Sequence, residues 1–251
     1  MDHIITVENV WKEFTIPHEK RSTVLDHMAS TLSVLEGKRF TYEKFWALKD
    51  ISFSVDEGES LGIIGPNGSG KSTLLKIIAK IMRADRGRVT TSGLTVPILE
   101  LGIGFHGDLT VKENIEIYGT IMGIPRAEIR KQSESILDFA ELHKFEDSRL
   151  KRLSSGMQVR LAFAIAVRTD ARVYLVDEAL AVGDIKFQQK CLETFQEFRK
   201  QGKSIILVSH SPDLVKDFCE KTLYLRHGEA RAFGPSEESV TQYVQDIASA
   251  N

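Results

Sequence analysis

The sequence predicts an α/β fold built on a parallel sheet, and three observations point to it. The short apolar strand Leu61-Gly62-Ile63-Ile64 runs directly into a glycine-rich loop that opens a helix, which is how a parallel strand–helix unit begins. Beyond residue 150, helix and strand patterns alternate, as the crossovers of a parallel sheet require. The apolar runs Val173–Val176 and Ile205–Val208 have the length of buried strands, far below the roughly 18 to 20 residues of a membrane helix.

In chain order, Ile4–Val10 alternates weakly and reads as a strand, and Ile51–Val55 reads as a second that ends at the turn Asp56-Glu57-Gly58-Glu59. After the glycine-rich loop, Ser72–Met82 reads as a helix, with Leu74, Leu75, Ile78, Ala79 and Met82 at three- and four-residue spacing. The stretch from about Val111 to Asp147 is mostly helical, with Pro125 as a new start, and is inserted before the later strands. A helix over Met157–Val167, the strand Val173–Val176, a helix over Phe187–Lys200 and the strand Ile205–Val208 follow, with Gly202 as the last break. The tail reads as a hairpin, Thr222–Arg226 and Ala230–Phe233 around His227-Gly228, and a final helix capped near Ser236. The segment Pro17–Trp46 does not fit a minimal α/β core: Leu25, Met28, Leu32 and Leu35 share one helical face, and Gly37 stops the pattern.

The 251 residues carry 33 Lys+Arg and 35 Asp+Glu, so the net charge is 33 − 35 = −2. That balance argues against a chain held to nucleic acid by phosphate neutralisation. The N-terminus Met1-Asp2-His3-Ile4 has neither the basic start nor the apolar core of a secretory signal. The two cysteines, Cys191 and Cys219, form no CxxC pair and read as buried free thiols in a reducing compartment.

Gly65-Pro66-Asn67-Gly68-Ser69-Gly70-Lys71-Ser72-Thr73 matches G-x-x-x-x-G-K-[ST] between a strand and a helix. Glycines let the backbone fold around a polyphosphate, and the loop N–H groups with the positive helix end bind its oxygens. Lys71 is expected to reach the β- and γ-phosphates, and the Ser72 hydroxyl to ligate Mg²⁺. A hard cation calls for carboxylate help, and Val173-Tyr174-Leu175-Val176-Asp177-Glu178 supplies it at a strand end. Asp177 is expected in the Mg²⁺ shell, and Glu178, one residue on, as the general base for water. His210, in Ser209-His210-Ser211 at the end of the next strand, should arrive near the γ-phosphate, because parallel strands deliver their C-terminal ends to one crevice.

These motifs resemble those of the ABC transporter ATPases. Leu153-Ser154-Ser155-Gly156-Met157-Gln158 is similar to that family's Leu-Ser-Gly-Gly-Gln signature, with Ser155 in place of a glycine and Met157 in place of the glutamine. The resemblance implies that Ser154, Ser155 and Gly156 bind the γ-phosphate held by a second subunit, in a head-to-tail homodimer with two ATP molecules between the subunits. Asp177-Glu178-Ala179-Leu180-Ala181-Val182-Gly183-Asp184 and Leu99-Glu100-Leu101-Gly102-Ile103-Gly104-Phe105 resemble the ATPase subunits of polysaccharide exporters. Asp184 then matches the aspartate that links the two active sites. The family's Mg²⁺-contacting glutamine has no counterpart over Leu99–Leu109, where Glu100 is the substitute; Phe14 best matches the aromatic that stacks on adenine, with Trp11 and Trp46 as alternatives.

The fold so implied is an α/β P-loop NTPase spanning residues 1–251, with a RecA-like parallel-sheet core and an N-terminal antiparallel β subdomain. A family-specific insertion at 17–46 and a helical signature subdomain over about 111–168 complete it. A carbohydrate-binding domain, which larger members carry after the last helix, is not expected in this sequence. The resemblance further implies ATP and Mg²⁺ as ligands, a membrane permease as partner, a lipid-linked glycan as cargo, no nucleic acid, and a peripheral place on the cytoplasmic face of the inner membrane. Other ABC importers or exporters would share every catalytic residue, and a soluble ABC ATPase is the remaining alternative.

Overall fold

The computed structural model describes residues 3–17, 42–99, 101–177 and 184–249. β1 (His3–Pro17) and β2 (Tyr42–Asp56) are the arms of one long antiparallel hairpin, paired from Pro17↔Tyr42 to His3↔Asp56. β3 (Ser60–Ile64) leads through the glycine-rich loop into α1 (Lys71–Ile78), and β4 (Arg86–Thr91) returns to pair with β1, giving the sheet order β2-β1-β4. β5 (Thr95–Ile98) precedes the helical lobe, α2 (Val111–Ile121), α3 (Arg126–Ala140) and α4 (Ser155–Ala166). Then come β6 (Val173–Val176), α5 (Ile185–Lys200), β7 (Ser204–Val208), α6 (Pro212–Phe218), β8 (Lys221–Arg226), β9 (Glu229–Pro235) and α7 (Ser236–Ala248). The second sheet has the order β5-β6-β7-β3-β8-β9, parallel except for the hairpin partner β9.

Every residue of β3, β6 and β7 is buried, because the sheet is covered on both faces. The strand period of two sends Val173, Leu175, Ile206 and Val208 to one side, where Leu74, Leu75 and Ile78 of α1 meet Ile5, Val7, Leu48 and Ile51 of the antiparallel sheet. Tyr174, Val176, Ile205 and Leu207 face the other side, against Phe187, Cys191, Phe195 and Phe198 of α5 and Val215 and Phe218 of the next crossover. The helical lobe has its own core around Ile115, Ile129, Ile136, Leu137, Leu161 and Ile165. Phe163 and Ala166 of α4 pack instead into the core beneath α5, so α4 belongs to both. The fully buried Asn114 of α2 fixes the loop before the lobe: its Oδ1 accepts from His106 N–H at 2.7 Å, and its Nδ2 donates to the carbonyls of His106, Leu109 and Thr110.

Three boundaries differ from the sequence reading. The helix expected to Met82 stops at Ile78, because Lys80 turns into the left-handed region at φ 60° and leaves Ile81 in solvent. Pro17 and Tyr42–Trp46 belong to the paired strands and not to the inserted element, since cross-strand pairing continues to Pro17↔Tyr42; the helical pattern of Leu25, Met28, Leu32 and Leu35 lies outside the described residues. Ser236 does not cap the last helix but is its first residue, and its hydroxyl is turned inward to Thr222 Oγ1 at 2.7 Å. Strands β4 and β5 and helix α6 are elements that the sequence pattern did not reveal.

Both cysteines are buried and free, as expected. Burial pushes the Cys191 thiol up to about 12 and the Cys219 thiol, whose neighbour Glu220 adds to the effect, higher still. A raised pKa keeps the thiol protonated, and at pH 8 only about one Cys191 in 10,000 is thiolate. Neither cysteine should therefore react with a disulfide reagent at pH 8 in the native protein, whereas both should react in denaturant; a native thiol count above zero would contradict this packing.

Candidate active site

The glycine-rich loop sits where parallel β3 ends, and the ends of β6 and β7 open onto the same crevice. An open cavity of about 530 Å³ is lined there by Asn67, Gly68, Ser69, Gly70, Lys71, Ser72 and Thr73, by Asp177 and His210, and by Phe14, Phe45 and Ala47 of the antiparallel sheet. The loop curls tightly: Gly70 has φ +107°, and a Cβ there would lie 2.6 Å from the Ala47 carbonyl oxygen. The turn of the β8–β9 hairpin braces it from behind. Gly228 N–H donates to the Ser69 carbonyl at 3.1 Å, and Lys49 N–H donates to the Gly228 carbonyl at 2.7 Å.

Lys71 is almost fully buried, and its Nζ donates to the carbonyls of Gly65 and Pro66 at 2.7 and 3.0 Å. That curls the ammonium over the loop, with the N-terminus of α1 directly behind it, so positive potential gathers on the cavity floor. The buried Ser69 hydroxyl has no partner among the described residues, and a phosphate oxygen is the kind of acceptor that would satisfy it. Ser72 Oγ stands 3.5 Å from Asp177 Oδ2, which places two hard oxygen donors together beside the floor. Among the described residues no group of three His, Cys, Asp or Glu side chains could cage a metal. A cation held by these two donors could complete its shell with phosphate oxygens and water, as Mg²⁺ does.

Most expected site residues thus meet in one place: Asn67 to Thr73, Asp177, His210 and Phe14. Gly65 contributes through its carbonyl to Lys71. Of the candidate aromatics, Phe14 lines the cavity, while Trp11 and Trp46 pack edge to face on each other at 5.3 Å and against Arg86. Phe45 is a site residue that the sequence reading missed. It pairs directly with Phe14 across the hairpin, and the two rings lie nearly parallel with centroids 5.8 Å apart. Bulges between Val7 and Glu13 shift the side-chain parity of β1, so alternation in the sequence could not place Phe14 and Phe45 on one face.

Ser154, Ser155 and Gly156 are not part of this cavity wall. Ser154 caps α4, accepting from Met157 N–H at 3.3 Å, and Ser154 and Ser155 are exposed, so the helix end is open to an external anion. Gln158 behind them donates to the carbonyls of Leu150 and Leu153. Asp184 is likewise outside the cavity, capping α5 by accepting from Phe187 N–H at 2.9 Å. That bond holds its carboxyl below the usual range, against the opposing effect of burial and with the help of Arg160 and Lys186. Glu100 and Glu178 lie outside the described residues.

A family model described as ABC transporter matches residues 48–181, just over half of the chain. The O-antigen export system ATP-binding protein RfbB of Klebsiella pneumoniae is 38% identical over 251 residues, 99% of this chain and 100% of that protein. The teichoic acids export ATP-binding protein TagH of Bacillus anthracis is 44% identical over 201 residues, 80% of this chain but 36% of its own length. In fold, the chain superposes with a TM-score of 0.72 on a dimeric ATP-binding cassette in a post-hydrolysis state with ADP and Pi, at 24% identity over 92% of this chain and 98% of that one.

The cavity floor predicts its own sensitivity. Gly70→Ala should abolish binding of triphosphates and pyrophosphate in calorimetry while leaving the circular dichroism spectrum intact, since the added Cβ collides with fixed backbone; near-normal binding would show that the loop can relax.

Proposed function

The chain belongs to the ABC transporter family, and on that footing we propose that it is the ATP-hydrolysing subunit of an exporter of lipid-linked polysaccharide, working as a homodimer under a membrane permease. The observation that carries the hydrolytic reading is the single cavity in which the phosphate loop, Asp177, His210 and two stacked phenylalanines meet. The polysaccharide reading rests on the end-to-end match to an O-antigen export ATP-binding protein and on the teichoic acid relative.

In this reading the adenine ring packs on the Phe14–Phe45 pair, and the phosphates lie along the loop amides and Lys71. The Ser72 hydroxyl and the Asp177 carboxylate would hold Mg²⁺, which would supply charge neutralisation to the phosphate oxygens when bound. Glu178 accepts the proton of a water whose oxygen attacks the γ-phosphorus; the bond from that phosphorus to the bridging oxygen breaks, and ADP keeps the electron pair. Lys71 neutralises charge growing on the bridging and terminal oxygens, and His210 holds a γ-phosphate oxygen. Ser154, Ser155 and Gly156 of one subunit close the site of the other, so ATP joins the dimer and hydrolysis releases it.

No helix among the described residues is long and apolar enough to cross a membrane. In this reading the chain meets a separate membrane permease at the cytoplasmic face of the membrane, which its family and its exporter relatives support. We assign the permease contact to the helical lobe, where Ile103 and Ile121 are 66% and 61% exposed beside a groove lined by Leu109, Glu113, Glu116 and Ile117.

Two outcomes test this. Glu178→Gln should keep ATP binding, lose nearly all turnover and become a dimer with ATP and Mg²⁺ in light scattering; adding Ser154→Arg should return it to monomer, and turnover unchanged in Glu178→Gln would remove the base assignment. Phe45→Ala should weaken ATP about three- to tenfold, the worth of one aromatic stacking contact, while pyrophosphate binding stays the same.

A further inference from the structure

Strand β1 lies between β2 and β4, and its backbone pairing with β4 ends at Trp11↔Arg86. One residue carries the ladder past that point. Asp85, just before β4, donates its N–H to the Trp11 carbonyl at 2.9 Å, and its Oδ2 accepts from Glu13 N–H at 2.6 Å. Its Oδ1 accepts from Lys12 Nζ at 3.1 Å, and that ammonium lies 5.6 Å from the centre of the Phe14 ring. The Glu13 amide, opposed by burial and helped by Lys12, holds the Asp85 carboxyl below the usual range, so it remains an acceptor at neutral pH.

These bonds fall where β1 and β2 change step. Lys12 faces Leu48 and Glu13 faces Trp46, so Ala47 is the extra residue of a bulge. Beyond it Phe14 faces Phe45, and both rings line the cavity together with Ala47. A slip of one residue would turn every following side chain to the opposite face. By holding the backbone on both sides of Lys12, Asp85 pins β1 in the register that brings the rings to the cavity.

From these bonds we propose that Asp85 is a positioning residue for nucleotide binding: it fixes the bulge that turns Phe14 and Phe45 to the cavity, and does not itself line that cavity. The inference rests on the reading in which the base packs on the two rings. Asp85 also ends the stretch 79–85 that leads from α1, the helix behind the phosphate loop, to β4. One residue thus ties the phosphate-binding element to the aromatic one and sets the span that a nucleoside triphosphate must bridge. Pyrophosphate, which has no base, does not use that span.

The test compares ATP and pyrophosphate binding by calorimetry on the whole chain. Asp85→Ala should weaken ATP about three- to tenfold, the loss expected when an aromatic contact is misplaced, and change pyrophosphate less than about twofold. Asp85→Asn keeps an amide oxygen for the Glu13 N–H and should stay within about twofold of wild type for both ligands. In the Phe14→Ala, Phe45→Ala double variant, Asp85→Ala should cost little further ATP affinity, because all three act through one contact. The chain's two tryptophans, Trp11 and Trp46, flank the bulge, and their fluorescence emission should shift in Asp85→Ala. Unchanged ATP affinity, an equal loss of both ligands with a lower Tm, additive losses, or unshifted emission would overturn the proposal. Should Asp85→Ala not fold, Asp85→Ser, too short to hold Glu13 and Lys12 together, gives the same comparison. If ATP binds the Phe14→Ala, Phe45→Ala variant as tightly as wild type, the base-stacking reading fails first, and the proposal with it.

Discussion

A parallel sheet has to be covered on both faces, and the rest of this molecule is arranged around that need. β3, β6 and β7 expose no residue, and their alternating side chains demand apolar partners above and below. α1 and the antiparallel sheet meet one face, and α5 with the other late helices meets the second. Among the described residues both faces are closed, and the cavity opens at the ends of the central strands. Loop and acid arrive there together because parallel strands all end on the same side.

The antiparallel sheet does more than cover a core. Its hairpin brings Phe14 and Phe45 over the glycine-rich loop, and the Ala47 carbonyl comes so close to Gly70 that only a glycine fits. Strand β8 carries the opposite brace, since its turn bonds both Ser69 and Lys49 through one glycine. The loop is thus gripped by two elements remote from it in sequence, which fixes its backbone in advance of any ligand. Within that loop the buried Ser69 hydroxyl has no partner among the described residues.

The helical lobe is joined to this core through α4, which contributes to both hydrophobic clusters, and through the ion pairs around Arg160. The helix capped by Ser154 is therefore tied to the Asp184 cap, although neither residue lines the cavity.

The sequence by itself determined the class of fold, the phosphate loop, and the strand ends bearing Asp177 and His210, because these depend on local patterns: glycine spacing, buried runs and strand-to-helix order. It also located the helical lobe and the buried thiols. It did not determine that β1 and β2 run on to residues 17 and 42, that Trp11 and Trp46 pack on each other and leave the cavity to Phe14, or that Phe45 joins it. Bulges decide those, by changing which face a side chain takes, and a bulge depends on pairing with a distant strand. The end of α1, the inward turn of Ser236 and the Arg160 junction were equally hidden, since each is set by contacts between residues far apart in the chain.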